Sequence, residues 1–139
     1  MINQLLNAMY HLNIKIKEKN NRIKLIYDPG LIDENLKAQI KKHKAEIIRL
    51  LKENEAAIQI GFLVYAQGQL LEYRYGRGAY LFIERHFNGL ATVWRENYRE
   101  GEQRAYKVKI MAKNVSFERA FEQAAGFVNW LQKQRKRAG

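Results

Sequence analysis

The chain has 139 residues, 47% of them hydrophobic, with a net charge of +11 and a pI of about 9.9. That length allows one or two small domains, and that hydrophobic content excludes wholesale disorder. The absence of cysteine excludes disulfides, thiolate zinc sites and cysteine nucleophiles together. No apolar run approaches the ~18 residues that a membrane span needs. The opening MINQLLNAMYHLN has no basic region ahead of a long apolar run, so it is not a secretory signal. A cytoplasmic protein with no membrane partner is the expectation. The excess of positive charge favours an anionic partner, nucleic acid being the commonest, and DNA is expected before RNA. The alternative is that basicity serves only solubility.

Composition shifts near Asn54. Residues 1–54 hold nine Lys, two Arg and two aromatics, whereas residues 55–139 hold five Lys, nine Arg and fourteen aromatics. Two units are expected, 1–54 and 55–139. The junction KENEAAIQ has neither Pro nor Gly, so the units join stiffly, by a continuing helix if the pattern persists.

In chain order, Ile2, Leu5, Leu6, Met9 and Leu12 predict a short amphipathic helix, ended at Asn13, which tolerates the left-handed conformation. Ile14 to Lys17 alternates apolar and polar, as does Ile23 to Leu25. The polar stretch Glu18–Arg22 between them completes a β-hairpin. Asp28-Pro29-Gly30 breaks the second strand. Asp33 to Leu51 then predicts one long helix, capped by Asp33, with Leu36, Ile40, Ile47 and Leu51 on its apolar stripe. His43 lies among its lysines.

The stretch LLNAMYHLNIKIKEKNNRIKLIYDPGLIDENLKAQIKKHKAEIIRLL resembles the N-terminal docking domain of TubC type, found at subunit junctions of nonribosomal peptide and polyketide synthetases. Leu5, Leu6, Ile14, Ile16, Ile23, Leu25 and Pro29 carry the earlier part of the likeness. Lys44-Ala45-Glu46-Ile47-Ile48 and Leu50-Leu51 carry the end. The resemblance implies a self-associating, homodimeric module whose hairpin edge and basic surface capture a partner segment. The docking residues it singles out are Ile14, Ile16, Ile23, Leu25, Lys41 and Lys44.

Residues 58–75 read equally as strand or helix, because a dense apolar run has no decisive period. Beyond them Tyr80–Phe87 and Leu90–Glu96 predict strands joined at Asn88-Gly89, and Arg104–Met111 predicts a third. Ser116, the only serine, caps a helix with the stripe Phe117, Phe121, Ala124, Val128 and Leu131. Phe127 and Trp130 are expected in the core, and Lys133–Arg137 as a basic tail. The fold class is therefore α+β. A helix–hairpin–helix docking module precedes an antiparallel sheet of three or more strands packed on a C-terminal helix.

Three strands and a helix are similar in element order to the arm-type DNA-binding domain of phage integrases and the related Apetala-type domain, whose sheet enters the major groove. If Tyr106, Val108 and Ile110 face the helix, Lys107 and Lys109 face out together with Arg95, and Arg99 and Arg104 adjoin them. Arg74 and Arg77 flank a Gly-rich turn, and Lys133, Arg135, Lys136 and Arg137 extend the positive charge. These eleven residues are the expected nucleic-acid contacts, set against a merely solvated polar face. Tyr80, Phe82 and Trp94 offer a stacking platform for single strands, set against a place in the core.

Little in the sequence supports catalysis. His11, His43 and His86 are scattered, and neither metal-ligand spacing nor a phosphate-binding glycine loop ahead of a helix is present. No catalytic residue, metal or cofactor is expected. Two functions follow as expectations. The first is a small DNA-binding protein that assembles through its N-terminal module. The alternative is a docking adaptor that captures an acidic peptide segment and has no role with nucleic acid.

Overall fold

The computed structural model describes residues 2–27, 30 and 32–138; Asp28 and Pro29, two residues of the expected bend, lie outside them. Helix α1 (Ile2–His11) closes on Asn13, which takes a left-handed φ of 57° as its residue type allows. Strands β1 (Lys15–Lys19) and β2 (Arg22–Ile26) form the hairpin, joined by Asn20 and Asn21 at φ 53° and 63°. Two successive left-handed asparagines make the turn whose twist matches that of the flanking strands.

The expected single helix over Asp33–Leu51 is two helices. Asp33 does cap the first, accepting the Leu36 N–H at 2.7 Å, but α2 (Glu34–Lys42) stops at His43 and α3 (Lys44–Gln59) begins beyond it. No Pro or Gly marks this break. It serves packing: α2 buries Ile40 while α3 buries Ile47 and Leu50, all in one cluster with α1 and the hairpin. The continuing helix foreseen at the junction is α3 itself. It runs unbroken past Asn54, and its last turn places Ala57 in a second cluster.

The ambiguous stretch 58–75 resolves into the end of α3, strand β3 (Leu63–Tyr65), a single 3₁₀ turn (Ala66–Gly68) and most of β4 (Leu70–Gly76). Strands β5 (Ala79–Arg85), β6 (Ala91–Asn97) and β7 (Lys107–Val115) complete a five-stranded antiparallel meander in the order β3-β4-β5-β6-β7. Helix α4 (Phe117–Ala138) follows, and Ser116 caps it by accepting the Arg119 N–H at 3.2 Å. The molecule is α+β, with the C-terminal helix packed against the sheet.

One face of this sheet is core. Leu71, Leu81, Ile83 and Val93 are fully buried with Phe117, Ala120, Ala124 and Val128 of α4. Of the expected stripe, Phe117, Ala124 and Val128 are buried, Ala120 joins them, and Phe121 and Leu131 are half-buried. Small Ala120 and Ala124 let α4 approach the sheet, while Phe121 and Phe127 lie only half-buried at the margin. Trp130, expected in the core, is 54% exposed. The expected basic tail is still helix, and Arg135 donates to the Tyr75 carbonyl at 2.6 Å.

Candidate functional site

Two surfaces outside the cores combine apolar and charged side chains. The first lies between β2 and α2. Ile23 and Leu25 point from the hairpin and Ile40 from the helix into a groove of about 390 Å³. Arg22, Lys37, Lys41 and Lys44 also line it, and among the described residues none of the lining is acidic, although Lys37 pairs with Glu34 at 3.5 Å beside it. Strand alternation explains this wall. Odd positions of β2 carry Ile23 and Leu25, which are half-buried, and β2 pairs only with β1 among the described residues, so its outer edge faces the groove region.

Of the residues expected to dock a partner, Ile23, Leu25, Lys41 and Lys44 come together here. Ile14 and Ile16 do not. They are 1% and 7% exposed and belong to the core; Ile16 pairs with Leu25 and so shares its face of the hairpin, but β1 lies over the cluster while β2 lies at its margin. Arg22, Lys37 and Ile40 are groove residues that sequence reasoning missed. Lys37 and Lys41 are four apart, which puts both on one helix face, and that signal was available.

The second surface is the open face of the five-stranded sheet. The expected orientation of β7 is inverted. Val108 pairs with Glu96 and Ile110 with Trp94, so both stand on the face away from α4, 57% and 56% exposed. Lys109 pairs with Arg95, and Arg95 pairs with Leu81, which is buried beneath α4. Lys107, Lys109 and Arg95 therefore stand on the helix side. The alternation was read correctly but its phase was not, because β7 is an edge strand and α4 does not cover its first half. Arg95 is not a free cation. Its guanidinium lies 4.5 Å from the Phe127 ring centre, and its Nε finds no hydrogen-bond partner among the described residues.

On the open face the strands align side chains in rows. One row runs Leu63, Glu72, Phe82, Trp94, Ile110, and the next runs Arg74, Tyr80, Glu96, Val108. Phe82 lies 5.2 Å from Trp94 and 5.8 Å from Tyr80, so the three aromatics weighed as a platform do adjoin. Carboxylates are set among them. Glu96 accepts from Trp94 Nε1 at 2.9 Å and from the Tyr98 hydroxyl at 2.6 Å, and Glu72 accepts from the Tyr65 hydroxyl at 2.8 Å. Both phenols are held above the usual tyrosine range, first by these hydrogen bonds to carboxylate. Arg74, Arg77 and Arg99 meet around one hollow with Tyr80 and Tyr98, but Glu72, Glu100 and Glu102 line it too. Arg104 lies exposed in the loop before β7, and Lys133, Lys136 and Arg137 are exposed along α4. The eleven expected nucleic-acid contacts thus divide between the two sides of the sheet and a helix end, and those on the open face are interleaved with carboxylates.

A polar network joins the N-terminal elements to the sheet. Arg85, 7% exposed, donates to the Asn54 side chain at 2.7 Å, the Gly68 carbonyl at 2.6 Å and Glu53 at 3.1 Å, and lies 3.9 Å from the Phe117 ring centre. Asn54 donates in turn to the Gln67 carbonyl, and Gln67 Nε2 donates to the Ile14 carbonyl, each at 3.1 Å. Burial pulls the Arg85 pKa below its usual range, and Glu53 opposes that shift. At Gly68, φ is 109° and an added Cβ would stand 2.6 Å from Arg85 and Asn54, so the site requires glycine. Nothing in the spacing of these residues announced the network.

Among the described residues no cluster of His, Asp and Glu is arranged to hold a metal ion, and no helix is long and apolar enough to cross a membrane. Residues 2–53 match the family model of the TubC N-terminal docking domain. The match runs from α1 almost to Asn54, covers the whole groove, and supports a protein–protein docking role for this region, as the sequence resemblance implied. No curated protein and no solved structure matches the chain significantly, so the likeness in element order to integrase arm domains has no counterpart there.

Proposed function

We propose that residues 1–54 form a docking unit that captures an acidic, apolar segment of a partner protein in the groove between β2 and α2, and that residues 55–139 form a second unit carried with it. One observation supports this above the others. The groove has an apolar floor of Ile23, Leu25 and Ile40, and the charges among its described lining residues are the cations Arg22, Lys37, Lys41 and Lys44. A segment bearing Leu or Ile beside Asp or Glu satisfies both parts at once, burying its apolar side chains while its carboxylates reach the lysines. The exposed edge of β2 adds backbone donors and acceptors for an extended segment. The docking reading is preferred to the nucleic-acid reading because the family match falls on this groove and because the expected DNA contacts do not share a surface.

The test is a titration of the full chain with a labelled peptide that alternates Glu with Leu, followed by amide chemical shifts. Shifts confined to residues 22–25 and 37–44 are expected, with binding weakened by added salt. Lys41→Glu combined with Lys44→Glu should weaken affinity by at least about tenfold, since like charges then meet across the groove. Shifts that map elsewhere, or a double variant that binds equally well, would overturn the proposal. So would a duplex DNA that displaces the peptide from the groove.

A further inference from the structure

We propose that the open face of the five-stranded sheet is a homodimer interface, in which two copies pack sheet against sheet about a twofold axis running along β5. The first ground is what this face exposes. Leu63, Tyr65, Tyr106, Val108 and Ile110 are all between 44% and 59% exposed and come from this one side or its margin. Together with half-buried Phe82 and Trp94 between the two edges, these exposed apolar side chains mark an interaction site.

The second ground is polar satisfaction. Trp94, Tyr98 and Tyr65 already bond to Glu96 and Glu72 within the face. A dry, packed partner can cover these aromatics without stranding a donor. Single-stranded nucleic acid suits the face less well, because its phosphates would lie against those same carboxylates.

Self-complementarity is the third ground. An axis along β5 lays each cross-strand row on its own reverse, exchanging β4 with β6 and β3 with β7. Arg74 of one copy then faces Glu96 of the other, Leu63 faces Ile110, and Phe82 faces Phe82; each pair but the last occurs twice, as a twofold interface requires. Extent is the fourth. Five strands about 4.8 Å apart, three residues long at β3, seven at β4, β5 and β6 and nine at β7, cover about 520 Å² per copy, or about 1,050 Å² in total, which is at the lower limit for a specific interface.

The edges point the same way. A nine-residue edge strand such as β7 invites pairing, but Lys107, Lys109 and Lys113 and two irregularities in its register guard it, and β3 at the other edge is only three residues long. The face, not the edge, is left open for a second copy.

Sedimentation of the full chain across a concentration series tests this. The parent should dimerise. Ile110→Lys and Leu63→Lys, at positions more than half exposed, should keep the circular dichroism spectrum and raise the dimer dissociation constant at least about thirtyfold, because each lysine would then be packed against an apolar partner. Arg74→Glu should dissociate the dimer, and combining it with Glu96→Arg should restore it at least in part, a rescue that no merely structural role predicts. Monomer at every soluble concentration overturns the proposal. A dimer indifferent to Ile110→Lys and Leu63→Lys also overturns it and moves self-association to residues 1–54. An oligo(dT) strand that binds the parent and loses affinity with Ile110→Lys overturns it in favour of nucleic acid. The proposal does not rest on the groove: Lys41→Glu with Lys44→Glu should leave the dimer unchanged, so failure of one reading does not entail failure of the other.

Discussion

The groove between β2 and α2 and the open face of the sheet are both apolar surfaces rimmed or crossed by charge, yet they distribute that charge differently. Among the described residues the groove lining carries one sign only. A second copy brought against it would meet like charge, so the groove selects something unlike itself. The sheet face mixes Arg74 with Glu72 and Glu96 among its aromatics, and a mixed face can match its own reverse. Sign segregation favours a foreign partner; sign alternation favours self-association. On this argument the homodimer implied by resemblance to docking domains is better sought on the sheet than in the groove.

The sharpest way to break the comparison is to show that the two sides of the sheet are energetically alike. Leu81, fully buried beneath α4, should cost about 2–5 kcal/mol when changed to Ala, through lost transfer energy and the cavity left behind. Ile110→Ala on the open side should cost no more than about 0.5 kcal/mol, measured by urea denaturation at concentrations where the chain is monomeric. A smaller effect is expected at the joint between the two surfaces. Arg85→Met strands the Gly68 carbonyl and the Asn54 side chain and should destabilise the chain by about 1–3 kcal/mol. Its denaturation should also begin to separate into two steps when α3 and sheet signals are followed independently. Unchanged cooperativity would mean that the apolar contacts of α3 suffice alone.

Smaller still is the expected effect of Lys41→Glu and Lys44→Glu on stability, within about 0.5 kcal/mol for exposed positions, while peptide affinity falls about tenfold. If stability and affinity fell together, the groove lysines would be holding the fold and not a partner. The slightest signal concerns the phenols. Glu96→Gln removes the carboxylate that holds Tyr98 high, so the Tyr98 titration should move down towards that of an ordinary tyrosine in an alkaline absorbance titration. No movement would show that the Glu96 bond does not persist in solution.

Much of the first half of the chain was legible from pattern alone. Period-two alternation at Ile14–Lys17 and Ile23–Leu25, two asparagines able to turn left-handed, and Asp33 as a cap are local signals, and local chemistry determines those elements. The break at His43 was not legible, because it is imposed by where Ile40 and Ile47 must both bury and not by any breaker residue. In the second half, alternation located β5, β6 and β7, but alternation says only that two faces differ. Which face is core depends on where α4 crosses, and β7 lies partly beyond its reach. Val108 and Ile110 were assigned inward for being apolar, and their exposure is what led to the open face. Arg85 eluded sequence reasoning for a related reason: its partners Glu53, Asn54 and Gly68 lie 17 to 32 residues away and meet only once the sheet has closed.

Helix α3 gives Ile47 and Leu50 to one core and Ala57 to the other without a loop between them. For a protein that docks, this governs effective concentration. A binding module on a flexible tether samples a volume set by its linker, and its second encounter is diluted accordingly. Here the groove and the sheet face are joined by one continuous helix, so a dimer formed through the sheets would fix its two grooves relative to each other, and all slack in a two-point engagement must come from the partner. Lengthening the partner's own linker would tune avidity, whereas lengthening α3 by single residues would swing the groove about the helix axis by about 100° at a time, the turn implied by 3.6 residues per repeat.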